Sequence, residues 1–168
     1  MVVFSLLDEL DKAMVRVAHN SKIEIKEQLV VEATKKGYSK LVIWMMKQNY
    51  IFRKPVISAA VCYGRIEVLE YMEKTRTIHD GPEKYWFCCE AAAAGQLTTL
   101  KWCREREYKY PWDKRTCISA ALNGHLDILE YAIDEGCRCS KDDFFDDFKI
   151  SARLQPRIID WIRKNITK

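Results

Sequence analysis

The stretch Ala120-Ala121-Leu122-Asn123-Gly124-His125-Leu126-Asp127-Ile128-Leu129-Glu130-Tyr131, followed by Gly136, decides how the rest of the chain is read. Ile128, Leu129 and Ala132 recur at the spacing of one helix face, while Asp127, Glu130 and Asp134 point the other way. Gly136 stands where a C-terminal cap in the left-handed region is expected, and Asn49 holds the same place in an earlier segment. Before Gly124, Thr116 to Leu122 reads as a shorter helix, so the segment is two antiparallel helices joined by a tight glycine turn. Neither helix is long enough to be stable alone in water.

The pattern recurs along the chain. Gly37, Gly64, Gly95 and Gly124 are separated by 27, 31 and 29 residues. Four residues before them stand Ala33, Ala60, Ala91 and Ala120; five after come Val42, Leu69, Leu100 and Leu129; seven after come Trp44, Tyr71, Trp102 and Tyr131. Similar steps outward predict degenerate units centred on Leu10, with Leu6, Val15 and Val17, and on Leu154, with Ile150, Ile159 and Trp161. Such decay is expected of terminal repeats, which have one open face. Turn signals separate the units at Arg53-Lys54-Pro55, Asp80-Gly81-Pro82-Glu83 and Pro111-Trp112-Asp113, and Ser140 with Asp142 and Asp143 reads as a helix N-cap. The expected fold is all-α: one domain over residues 1–168, a solenoid of about six helix-turn-helix units with short finger loops.

Composition agrees with a folded chain. At 168 residues, with 48% hydrophobic and 31% charged side chains and only six Gly and four Pro, it is neither disordered nor low in complexity. A formal charge of +4 is too small to mark a nucleic-acid binder unless concentrated on one face. Seven Cys without a C-x-x-C pair suggest reduced thiols, hence the cytoplasm or nucleus, a host cell's included. No basic segment precedes the apolar start Met1 to Leu7, and no apolar run reaches the ~18 residues of a membrane span, so no secretory or membrane targeting is expected.

The Gly124 segment resembles the second half of an ankyrin repeat: two alanines, two variable residues, Gly-His-Leu, an acidic residue and an aliphatic pair. With Pro111-Trp112-Asp113-Lys114-Arg115-Thr116-Cys117 ahead of it, it looks like a divergent short-repeat subtype of large DNA viruses, oomycetes and algae. The Thr-Pro-Leu-His opening is missing, and Arg115-Thr116-Cys117-Ile118 keeps little of it. With short spacings as well, truncated fingers are expected in place of full β-hairpins. The resemblance implies that His125 hydrogen-bonds neighbouring backbone.

Candidate chemistry is sparse. No Ser, Cys or carboxylate recurs beside His125 in a triad-like arrangement, and His19 and His79 fall between units. Cys137-x-Cys139 is too close-spaced and isolated for zinc, and Cys88 and Cys117 share the register of Val30 and Ile57, which makes them core thiols. No phosphate-binding, nucleophile-elbow or zincin string occurs, so no enzyme activity, metal or cofactor is expected. The recurring aromatics read as packing between units rather than as a base-stacking platform. Phe144, Phe145 and Phe148, set among Asp142, Asp143, Asp146 and Asp147, read as one buried face of a closing helix.

The variable surface remains. In ankyrin-like stacks the two residues before each turn glycine and the finger residues line a concave groove. Carried over, these are Lys35, Lys36, Cys62, Tyr63, Ala93, Ala94, Leu122 and Asn123, with finger residues Arg53, Lys54, Lys84, Tyr85, Trp112, Lys114 and Arg115. Many are basic, whereas the second helices display Glu67, Glu70, Glu73, Asp127, Glu130 and Asp134. The expected function is a non-enzymatic protein-interaction scaffold that takes a partner protein, by preference an acidic segment, in this groove. The alternatives are nucleic acid bound along the same groove, with steep salt dependence, and an architectural subunit of a larger, viral assembly. Partner identity and oligomeric state are open from sequence.

Overall fold

The computed structural model describes residues 27–47, 54–78, 84–106 and 109–166, the side chains of Lys84 and Tyr85 excepted. The Leu10 unit, His19, His79, Asn49, Arg53 and the 80–83 turn lie outside them. Among the described residues every regular element is a helix and no strand occurs. The chain divides into two compact units, 1–80 and 81–168. The first contains α1 (Glu27–Lys36), α2 (Ser39–Lys47), α3 (Lys54–Cys62) and α4 (Ile66–Lys74). The second contains α5 (Lys84–Ala93), α6 (Leu97–Glu105), α7 (Lys114–Leu122), α8 (Leu126–Asp134), α9 (Asp142–Phe145), α10 (Phe148–Ser151) and α11 (Pro156–Asn165).

Helices pair as hairpins across the four glycines. Each glycine is in the left-handed region, with φ of 87°, 66°, 73° and 77° in chain order. The N–H of the following residue donates to the carbonyl of the alanine five residues back: Tyr38 to Ala33 (3.0 Å), Arg65 to Ala60 (2.8 Å), Gln96 to Ala91 (2.9 Å) and His125 to Ala120 (2.9 Å). This is the Schellman closure, in which a glycine leaves the helix without a Cβ clash and the last carbonyls still find donors. Arg65, Gln96 and His125 then have φ near −90° and ψ of 69°, 74° and 79°. That is an inverse γ-turn, which reverses the chain and starts the second helix at once.

The repeated registers become layers of core. Val30, Ile57, Cys88 and Cys117 lie seven residues before the glycines and are all buried, as are the four alanines. Five after, Val42, Leu69, Leu100 and Leu129 are fully buried, and eight after so are Met45, Met72, Cys103 and Ala132. Small residues let the first helices approach closely, α1 against α3 and α5 against α7.

Within each compact unit a hairpin also rests on the turn of the one before it. A Cβ placed on Gly37 would lie 3.1 Å from the Arg65 guanidinium carbon, and one on Gly95 would lie 2.7 Å from His125 Cε1. One on Gly124 would lie 2.6 Å from Gln155 Nε2. Gln155 follows Leu154 as His125 follows Gly124, so the register runs on into the degenerate last unit. There the expected Ile150, Ile159 and Trp161 are only half-buried, and Ile158 and Ile162, in register with Ile128 and Ala132, are the fully buried pair.

The closing segment departs from expectation. Instead of one helix burying Phe144, Phe145 and Phe148, two short helices form, broken at Asp146 and Asp147. The Asp147 carboxylate accepts from Lys149 N–H (2.8 Å) and so caps α10. Asp competes for backbone donors in this way and disfavours helix interiors. The break turns Phe148 outward, 81% exposed, while Phe144 is fully buried and Phe145 half-buried. The expected N-cap at Ser140 is present as a reciprocal box: Ser140 N–H donates to the Asp143 carboxylate (2.9 Å), and Asp143 N–H donates to Ser140 Oγ (3.4 Å).

Candidate binding surface

The residues just before the turn glycines emerge where the first helices end. In the first unit Lys35 and Lys36 close α1, where the helix dipole favours cations. Lys35 Nζ pairs with Glu32 at 2.8 Å, an exposed contact that raises the lysine pKa and lowers that of the carboxyl. Lys36 and Lys54 are exposed, Cys62 is half-buried, and Tyr63 is 47% exposed. Tyr63 is close enough to act on the charges of Lys35 and Arg65. Beneath them Arg65 Nε donates to Thr34 O (2.9 Å) and Nη2 to Lys35 O. Burial lowers the Arg65 pKa, opposed by Tyr63, and the guanidinium stays charged. Lys35, Lys36 and Tyr63 thus form one ridge on an arginine that satisfies the carbonyls ending α1.

The second unit differs. Ala93, Ala94 and Leu122 are half-buried, and exposed Asn123 folds its amide back onto Ser119 O (2.9 Å). Trp112 is half-buried, with Arg104 Cζ 4.1 Å above its ring and the Tyr131 edge 6.2 Å away. Lys114 Nζ pairs with Asp143 at 2.9 Å, and Arg115 chelates both oxygens of Asp113, which also caps α7 by accepting from Arg115 N–H. The hydrogen bond from Arg115 holds the Asp113 carboxyl below its ordinary range, and that from Lys114 does the same to Asp143. The cationic charge of this finger is matched locally. Arg53 lies outside the described residues, and Lys84 is placed only as the first residue of α5, with Tyr85 after it.

No family model, curated protein or solved structure matches the chain.

Several contacts are not legible in the repeat pattern. Tyr110 is buried, its ring 4.8 Å from that of Phe87 and 5.6 Å from that of Trp102, and Arg104 Nη1 donates to its carbonyl (2.6 Å). The finger is therefore clamped over α5 and α6. Of the recurring aromatics only Trp102 is buried; Trp44, Tyr71, Tyr131 and Trp161 are half-buried. His125 packs its ring on Gly95 and makes no side-chain cap bond; the backbone bonds expected of it are made by Arg65 and, in the last unit, by Arg157, which donates to Gly124 O (2.6 Å).

All seven cysteines are free thiols. The register of Cys117 makes it core, and it is fully buried, while Cys137 Sγ donates to Asp113 O (3.3 Å). The neighbouring thiols of Cys137 and Cys139, and then burial, push the Cys117 thiol pKa up. Among the described residues no group of three or more His, Cys, Asp or Glu is arranged to hold a metal ion, and no helix is long and apolar enough to cross a membrane.

Proposed function

We propose that the chain is a non-enzymatic protein-binding scaffold of ankyrin-like hairpins, whose pre-glycine residues and fingers contact the partner. The observation that supports this most is the stacking of a hairpin on the preceding turn within each compact unit, Arg65 on Gly37, His125 on Gly95 and Gln155 on Gly124. The frame is built from alanines, glycines and the residue after each glycine, so the positions just before the glycines can vary without cost to the fold. An acidic segment is the preferred ligand, met by Lys35, Lys36 and Tyr63. Charge steers and selects such a partner while the aromatic supplies contact area. The carboxylate partners of Lys114 and Arg115 argue against phosphate tracking along the finger of the second unit, which needs uncompensated cations.

The test is capture of partners from native extract after nuclease treatment, read by mass spectrometry. Wild type is compared with Lys36→Glu/Tyr63→Ala and with the reversal of Lys36, Lys54 and Lys114 to Glu. A protein retained by wild type and lost by both variants is the expected result. Equal retention on all three refutes the surface, and loss of every partner to nuclease favours nucleic acid.

A second reading, an architectural subunit, is favoured by the exposed Phe148. It predicts a larger species at high salt by size exclusion that Phe148→Ser dissolves.

A further inference from the structure

In the second unit the last hairpin leaves open a face that the earlier hairpins cover. Counted back from the turns, Cys89, Ile118 and Phe148 stand six residues before Gly95, Gly124 and Leu154, and Ala93, Leu122 and Ala152 stand two before them. The count holds across α10, because Leu154 N–H donates to Ser151 O (3.3 Å) as Gly124 N–H does to Ala121 O (3.1 Å) and Gly95 N–H to Ala92 O (3.4 Å). On α5 the residue six before the turn meets the next hairpin: Cys89 Sγ lies 3.0 Å from Ser119 Oγ and donates to Arg115 O (3.7 Å), both on α7.

Cys89, Ile118, Ala93 and Leu122 are accordingly half-buried, whereas both Phe148 and Ala152 are exposed. Ala152 N–H donates to Phe148 O (3.0 Å), so the two side chains lie one helical turn apart on the same face. The charges around Phe148 have a direction. Exposed Asp146 precedes it, exposed Lys149 and Arg153 follow it, and none of the three makes an ion pair among the described residues. A second copy of this face, turned by half a revolution about an axis through Phe148, sets phenyl against phenyl and Asp146 against Lys149 and Arg153 twice over. Copies whose α10 helices ran in the same direction would set like charges together, which is unfavourable.

We propose that a second copy of this chain covers the face, the two joined through Phe148 and Ala152 with Asp146 of each copy against Lys149 and Arg153 of the other. Both copies use the same patch, so the assembly closes at two chains. A buried Phe contributes roughly 150–250 Å², which places the contact among small, reversible interfaces. The proposal rests on the architectural reading and specifies its contact, whereas the groove-binding scaffold does not depend on it.

Sedimentation equilibrium of the purified full chain over a concentration series is the test. Wild type should rise from one chain mass of 19.8 kDa towards two, and Phe148→Ser, a change at an exposed position, should stay at one. Asp146→Lys and the double variant Lys149→Glu/Arg153→Glu should each weaken association about tenfold, because each reversal acts twice across the axis. Their equimolar mixture should recover the wild-type association. Wild type that stays at one chain mass up to about 1 mM overturns the pair, and the same result at high salt overturns the architectural reading as well. A mass that climbs past two chains and falls with Phe148→Ser overturns the closed pair alone, as does a mixture of the charge variants that shows no recovery.

Discussion

Replacing Gly95 by Ala tests whether the hairpins stack as described. Gly95 has φ +73°, and an added Cβ would stand 2.7 Å from His125 Cε1. Gly136 offers the internal control, with φ +80° and nothing within 4 Å of the same added atom. An L-residue held in the left-handed region costs roughly 1–2 kcal/mol, which is all that Gly136→Ala should lose. Gly95→Ala adds overpacking against the imidazole, roughly another 1–3 kcal/mol, for a total of about 2–5 kcal/mol. His125 makes no side-chain cap bond, so His125→Ala removes the clashing ring without undoing the turn. In that background Gly95→Ala should fall back to roughly 1–2 kcal/mol, a coupling on the order of 1–3 kcal/mol. Urea unfolding followed by circular dichroism and tryptophan fluorescence measures all four states of the cycle. Equal losses for the two glycines, with no relief from His125→Ala, would refute the stacking of one hairpin on the preceding turn.

Thr99 stands where the other units have Leu41, Val68 and Ile128, and its buried Oγ1 has no hydrogen-bond partner among the described residues; Thr99→Val should therefore stabilise by about 1 kcal/mol in the same assay. Arg76 sits at φ 56°, twelve residues after Gly64 as Gly136 follows Gly124, and Arg76→Gly should gain about 1 kcal/mol at the urea midpoint. Phe144→Ala should cost about 3–5 kcal/mol, whereas Phe148→Ser should stay within about 0.5 kcal/mol; matching losses would mean that the break at Asp147 does not exist. The Asp143 carboxyl is depressed by Lys114 and Ser140, so its stabilisation is full above the unfolded value of about 3.9 and is lost as pH falls from there through the folded pKa. Asp143→Asn should accordingly flatten the loss of thermal midpoint below about pH 4, and an unchanged acid slope would remove Asp143 from that role.

The glycine register was fully legible because a Schellman turn demands a residue in the left-handed region, which glycine meets without a Cβ clash. That constraint acts within a few residues, so Gly37, Gly64, Gly95 and Gly124 announce it without any tertiary contact. The buried columns from Val30 to Cys117 and from Val42 to Leu129 follow from the same local period. Phe148 was misread because its pattern fits a helix face, and only the capping preference of Asp147 turns it outward. The candidate surface was legible as a set of positions. Its charge balance was not, because Asp143, the partner of Lys114, depends on where the 140–143 loop comes to rest.

By itself the sequence determined the all-helical hairpin, its repeat and most of its core, since these rest on backbone sterics and on side-chain period within a dozen residues. Tertiary structure alone decided that Arg65, His125 and Gln155 lie on the turns before them and that Tyr110 clamps a finger over Phe87. Those contacts join residues more than twenty positions apart, where no local period operates and only the packing of one hairpin on the next fixes the distance.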